Sequence, residues 1–339
     1  MHPGNKCNCL RNIGLNRQSP VIRQSGQDRK TGVSLLLFLA VFFLILPAPA
    51  FCDNTAGLPD AVDLLNTARK GGEYRQLQEE ELAAIEVFFG RMLEGERSRE
   101  LFNTWEKLGF SVRKAQLGGK EVFVLLEKPD KKYGRGFYVF PLRASGSTVL
   151  MMPHGFYDLH TRLIGQQFFG EGEFLAAAWN TVHRNKYPGQ NNKTAFDDNP
   201  WMWDMADLPN TCFTALTRAF ARVQPKGHLV QLHGFAKAKR KSGTARDSDL
   251  ILSNGTESPP EGLLAFGDCQ KINLPVMVRL YPLETKDLGS TENISARILN
   301  ALGHDGFVQM EMSLGLRERQ RSSVGFRKAV LDCMNSTWQ

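Results

Sequence analysis

Apolar and polar positions change their rhythm along this chain. Between residues 53 and 109, apolar residues recur every three or four positions. The pattern is clear in Asp60-Ala-Val-Asp-Leu-Leu, in Glu79-Glu-Glu-Leu-Ala-Ala-Ile-Glu-Val-Phe-Phe and from Ser98 to Leu108. That period predicts amphipathic helices, the last one stopped by Gly109. From Phe110 the rhythm shortens. Glu121–Glu127 and Gly136–Leu142 are apolar runs rich in Val and aromatics, on either side of a turn-like segment from Pro129. They predict a hairpin or two adjacent strands.

Beyond residue 147 the two rhythms alternate. Short buried-type strands are predicted at Thr148–Met152, His228–Leu232, Leu250–Leu252, Val276–Leu280 and Phe307–Met312. Helices are predicted at Gly172–His183, Thr211–Val223, Pro259–Cys269, Ser290–Leu302 and Glu318–Met334. Such alternation predicts an α/β fold with a mixed or largely parallel central sheet flanked by helices. In such sheets ligands bind past the C-terminal ends of the strands. The expected organisation is a leader (1–50), a helical N-terminal cap (51–110) and an α/β catalytic domain (111–339).

Composition narrows this picture. With 339 residues, 42% of them apolar and 23% charged, the chain is long and apolar enough for a packed core, which excludes a disordered class. The formal charge of +7 invites a nucleic-acid or membrane partner. The N-terminus removes most of that signal. Val33–Leu46 carries no charge, follows Arg29 and Lys30, and precedes Ala48-Pro49-Ala50. This is the layout of a secretory signal peptide cleaved after Ala50, too short to span a bilayer. An uncleaved N-terminal anchor is the alternative. Loss of residues 1–50 takes away six basic residues and one acidic residue, so the surplus of +7 falls to +2. A periplasmic or secreted protein with no nucleic-acid partner is the expectation. Cys52, Cys212, Cys269 and Cys333 would remain. Export permits disulfides among them, buried free thiols are the alternative, and the spacing does not choose a pairing.

Three predicted strand ends carry candidate chemistry. Thr148–Met152 runs into Pro153-His154-Gly155, with Asp158 four residues after His154. An imidazole and a carboxylate on one turn can form half of a zinc site, and a capping role is the alternative. Gln231-Leu232-His233-Gly234 repeats the strand-then-His-Gly solution. Two such histidines and Asp158 would supply three ligands and leave a fourth position for water. In Val308-Gln309-Met310-Glu311-Met312-Ser313, Glu311 interrupts an apolar strand. A carboxylate there needs a partner or a function: a salt bridge to Arg317 or Arg319, or general-base work.

These motifs resemble those of the N-formylglutamate amidohydrolases and phage poly-γ-glutamate hydrolases, a group similar in fold to zinc carboxypeptidases. The resemblance covers roughly residues 145–330. It implies a zinc ion (Zn2+) held by His154, Asp158 and His233, with Glu311 as catalytic base. It further implies that Arg317, in Ser313-Leu-Gly-Leu-Arg317, binds a substrate carboxylate. Arg279, near a strand end, is a second candidate for the cleft. The activity implied is zinc-dependent hydrolysis of an amide or peptide-type bond in an anionic substrate. The reading from another class is a non-catalytic periplasmic binding or envelope protein of the same fold.

Other residues have weaker claims. His160 is an alternative ligand or a partner of one. His183 reads as a packing or surface residue, His228 as structural, and His304 as part of a turn. Trp201 and Trp203 read as packing, with a substrate wall as the alternative. Lys237–Lys241 is a basic loop whose field would favour an anion if it overhangs the site.

Overall fold

In the computed structural model the first described elements are α1 (Ala61–Ala68), α2 (Glu79–Leu93) and α3 (Arg99–Lys107). They fall where the three- to four-residue period predicts helix. Their ends follow from local chemistry. The Ser98 hydroxyl accepts from Leu101 N to cap α3. Gly109 then takes φ +90°, a left-handed conformation that ends the helix without a Cβ penalty. The structure describes residues 57–68, 74–182 and 204–338, all within one unit, Asn54–Gln339. The leader, Cys52, His183, Trp201 and Trp203 lie outside the described residues.

The described strands form one mixed sheet. They are β1 (Phe110–Leu117), β2 (Lys120–Glu127), β3 (Phe137–Pro141), β4 (Thr148–Met152), β5 (Ala176–Trp179), β6 (His228–Phe235), β7 (Leu250–Ser253), β8 (Val278–Leu280) and β9 (Phe307–Ser313). Their order across the sheet is β1-β2-β3-β5-β4-β6-β9-β7-β8. The centre, β5-β4-β6-β9, is parallel throughout. The β1-β2-β3 meander joins it antiparallel through β3, and β7 pairs antiparallel with β9 on the other side. The fold class is therefore the mixed α/β arrangement expected from the alternating rhythm.

Two apolar layers cover the sheet. On one face the core draws on α1, α4 (Thr161–Glu171), α7 (Glu261–Asn273), α9 (Leu314–Ser322) and α10 (Val324–Thr337). On the other it draws on α2, α3, α5 (Cys212–Val223) and α8 (Ile294–Ala301), while the short α6 (Gly243–Asp247) follows β6. From β4 the chain crosses through α4 to β5 on one side, and then returns through α5 to β6 on the other side. The order thus reverses at β4. A crevice opens past strand C-termini at such a reversal, and His154 stands just past the end of β4.

Three sequence expectations need correction. Over the described part of Gly172–His183, residues 172–182, there is no helix: Ala176–Trp179 is the buried strand β5, and the helix lies earlier, at α4. The Ala run has high helix propensity, but its place between β3 and β4 overrides it. Glu318–Met334 is not one helix, because Ser323 separates α9 from α10 and caps the second by accepting from Phe326 N. The helix expected from Ser290 begins at Ile294, with Asn293 as its cap.

Cys269 on α7 and Cys333 on α10 form a disulfide, and Cys212 is a buried free thiol. His228 stacks on Trp338, with ring centroids 4.3 Å apart. His304 closes its turn by accepting from Gly306 N and bonding Gln224 O at 2.8 Å. Both histidines therefore serve structure, as the sequence suggests.

Candidate metal centre

The site is built on strand pairing. In the parallel register of β6 and β9, Gln231 faces Gln309 and His233 faces Glu311. Alternation puts these four side chains on one side of the sheet. Val230, Leu232, Val308, Met310 and Met312 on the same strands join the core on the opposite side. Four polar residues therefore form a square patch at the C-terminal end of two buried strands.

His154 and Asp158 reach the same point from β4. The amides of Tyr157 and Asp158 both donate to His154 O at 2.8 Å, a single helical turn that brings the carboxylate back beneath the imidazole. Asn180 braces the strand end by donating from its side chain to Pro153 O at 2.8 Å. Gly155 does not need the left-handed region here. His160 does, at φ +74°, where it precedes α4. His160 does not line the cavity described below.

The three predicted ligands converge. His154 Nδ1 lies 3.0 Å from His233 Nδ1 and 3.3 Å from Asp158 Oδ2, and His233 Nδ1 lies 3.7 Å from Asp158 Oδ2. All three residues are buried. Around one tetrahedral ion with ligand bonds of about 2.0–2.2 Å, ligand atoms stand roughly 3.3–3.6 Å apart. The observed edges, 3.0 to 3.7 Å, bracket that spacing.

The outer ring nitrogens support the same conclusion. His154 Nε2 bonds Asp204 Oδ1 at 2.6 Å, and His233 Nε2 bonds Gln231 Oε1 at 3.1 Å. Asn293 Nδ2 donates to that same Gln231 oxygen at 2.7 Å, which assigns it as an acceptor. Both Nε2 atoms must then carry hydrogen, which turns each Nδ1 inward as a potential ligand. Asp158 is aligned by Gly234 N, which donates to its Oδ2 at 2.9 Å.

Charge at the centre favours a cation. Burial lowers the His154 pKa, but hydrogen bonds to Asp158 and Asp204 outweigh it and hold the group at about 9. Burial raises Asp158, but bonding to His154 and the nearby His233 and Gly234 bring it below its ordinary value. Without a metal ion the inner face of the cluster therefore keeps a proton, shared among His154 Nδ1, His233 Nδ1 and Asp158. A cation that displaced it would meet two nitrogen ligands and one carboxylate with orienting partners behind them.

Glu311 sits beside this cluster and is buried. The salt bridge to Arg317 or Arg319 that sequence allows does not form. Instead Gln309 Nε2 donates to Glu311 Oε1 at 2.9 Å. Burial, and then the Asp158 charge, push the Glu311 pKa up to about 7. A carboxyl group held there can take and return a proton near neutrality.

Arg317 and Arg279 have different fates. Arg317 lines the cavity, yet its guanidinium donates to the carbonyls of Met312, Leu159 and Phe235. Arg279 lies on β8 at the sheet's outer edge, 4.0 Å from Glu284, and is not part of the cavity wall. The cleft role expected for Arg279 fails because strand order is invisible in a single sequence.

The cavity holds about 700 Å³ and opens over His154, Asp158, His233 and Glu311. Asp204, Gln231, Asn293 and Gln309 are the members that sequence reasoning missed. Asn293 links several of them: its Oδ1 caps α8, while its Nδ2 reaches Gln231 and, at 3.2 Å, Gln309.

Comparison with known proteins gives a loose structural likeness. No family model matches the chain, and no curated protein sequence matches it. Among solved structures, the chain is similar to N-formylglutamate amidohydrolase from Ralstonia eutropha JMP134. That match has 14% identity and a TM-score of 0.40, and covers 60% of this chain and 96% of that one. A candidate metallopeptidase from Shewanella denitrificans OS217 matches at 11% identity and a TM-score of 0.34, over 80% of this chain and 98% of that one. A candidate carboxypeptidase from Burkholderia mallei ATCC 23344 matches at 12% identity and a TM-score of 0.34, over 71% and 68%. At these values the likeness decides neither activity nor substrate, and the site's own geometry must carry the functional reading.

Proposed function

We propose that this chain is an exported, zinc-dependent hydrolase of amide or peptide-type bonds, acting on a carboxylate-bearing substrate. The observation that carries the reading is the inward-facing triangle of His154 Nδ1, Asp158 Oδ2 and His233 Nδ1. Those three residues would hold the zinc. When bound, such an ion supplies Lewis acidity, which acidifies a water and polarises a carbonyl.

The protein's own groups perform the remaining work. Asp204 and Gln231 fix the two imidazoles and keep their outer nitrogens protonated. Glu311 accepts the proton of the attacking water on a carboxylate oxygen. It then delivers that proton to the departing nitrogen, so the amine leaves neutral. Gln309 orients Glu311 through the bond to Oε1. The apolar layers beneath the square patch keep water from entering below it. The Cys269–Cys333 disulfide accords with export to an oxidising compartment, as does the leader sequence.

The test is Glu311→Gln. The variant should retain zinc and lose amide hydrolysis by roughly 10²–10⁴-fold. A variant that hydrolyses as fast as the wild type contradicts the assignment.

A further inference from the structure

Two arginines line the cavity in opposite circumstances. Arg317 is buried, and its Nε, Nη1 and Nη2 donate to Met312 O at 3.2 Å, Leu159 O at 2.5 Å and Phe235 O at 3.4 Å. Its guanidinium lies against the last residues of β6: a Cβ on Gly234 would stand 2.5 Å from Arg317 Cζ. The three carbonyls belong to the segments carrying Asp158, His233 and Glu311. Arg317 is thus a backbone clamp that ties those segments together.

Arg240 is free of such duties. It follows a short 3-10 turn, Lys237–Lys239, after β6. The loop is fixed by its own bonds: Arg246 Nη1 donates to Arg240 O at 3.0 Å and Lys241 O at 3.1 Å, and Lys241 N donates to Asp287 Oδ2 at 2.8 Å. The Arg240 guanidinium is laid against the Phe235 ring, 5.9 Å from its centroid, and lines the cavity with Glu311. Among the described residues neither Arg240 nor Lys239, its neighbour on the wall, forms an ion pair. Arg240 Nε is buried and has no hydrogen-bond partner. Lys237, in the same basic run, is instead paired with Asp249 at 2.8 Å. Of the carboxylates on the wall, Asp158 and Asp204 hold the histidines, Glu292 is paired with Arg297, Glu311 accepts from Gln309 and feels the Arg240 charge without an ion pair to it, and Asp207 is engaged as well.

We propose that Arg240, with Lys239 beside it, is the anion subsite of this cavity and receives a substrate carboxylate, while Arg317 serves only to position the centre. A guanidinium held on an aromatic face keeps its fork free for a bidentate contact with a carboxylate. The ligand class is therefore an N-acyl amino acid or a short peptide that presents a carboxylate a few bonds from the scissile amide. This inference rests on the hydrolase reading for the reaction but not for the binding.

The experiment uses the full chain, Arg240→Gln and Arg240→Lys. Binding is read by titrating glutarate, an unreactive dicarboxylate, into metal-free and zinc-loaded protein. Glutarate should bind the wild type, R240Q should weaken it roughly tenfold to a hundredfold, and R240K should recover part of the loss. For hydrolysis, the ratio of kcat/KM for an N-acyl amino acid to that for its carboxamide should fall by at least about tenfold in R240Q. A wild type that takes up no glutarate, or R240Q with unchanged glutarate affinity, overturns the subsite. Absence of zinc or of hydrolysis in the wild type overturns the hydrolase reading, and the metal-free titration still decides the subsite.

Discussion

His154 Nε2 and Asp204 Oδ1 are joined at 2.6 Å, across fifty residues of chain. The bond fixes which ring nitrogen carries hydrogen, and so which one faces His233 and Asp158. Asp204 is itself held in place, since Ala206 N donates to the same oxygen at 3.0 Å. A carboxylate behind a ligating histidine raises ligand basicity and sets ring orientation.

Asp204→Asn should therefore weaken zinc binding by roughly 10–100-fold while leaving the fold intact. Competition against a chromophoric chelator measures the change. Unaltered affinity would mean that Asp204 does not orient the ligand.

Arg317→Ala should loosen the whole centre. Three carbonyls lose a charged donor, at a cost of about 3 kcal/mol. The melting temperature should then fall by roughly 6–12 °C. Zinc affinity should fall with it, because the clamped segments carry Asp158, His233 and Glu311. An unchanged melting curve, read by circular dichroism, would remove the clamp.

The parts of this site that were legible in the sequence are those with local signatures. Strand-then-His-Gly occurs twice, and each copy marks a strand end, so the sequence alone points to His154 and His233. Glu311 was conspicuous as a carboxylate in an apolar run. Asp204, Gln231, Asn293 and Gln309 carry no such signature. They meet only because β6 and β9 pair in one register and the N-terminus of α8 arrives above them. The place of Arg279 is hidden for the same reason, since only strand order puts β8 at the edge. The Ala run of β5 misled because local propensity favours helix where the neighbouring strands demand a strand.

Stability should fall in acid through His228. Burial, and then the nearby His304, lower its pKa from 6.5 to about 4 in the folded chain. The unfolded chain therefore binds more protons between those values. The contribution to stability is fully present above pH 6.5 and is lost as pH falls toward 4. Allowing for partial exposure, the loss is on the order of 1 kcal/mol, or roughly 2–4 °C. His228→Phe keeps a ring against Trp338 and should flatten the melting temperature between pH 6.5 and 4 relative to the wild type. Parallel curves for the two proteins would contradict the assignment.

Zinc stoichiometry reads the His154, Asp158 and His233 cluster itself. The full chain and a His154→Ala/His233→Ala double variant are equilibrated with zinc, freed of loosely bound metal and analysed by mass spectrometry for metal per chain. The wild type should retain close to one zinc and the double variant essentially none, with both folded by circular dichroism. A folded wild type that retains no zinc, or a double variant that retains as much as the wild type, would mean that these histidines hold no zinc.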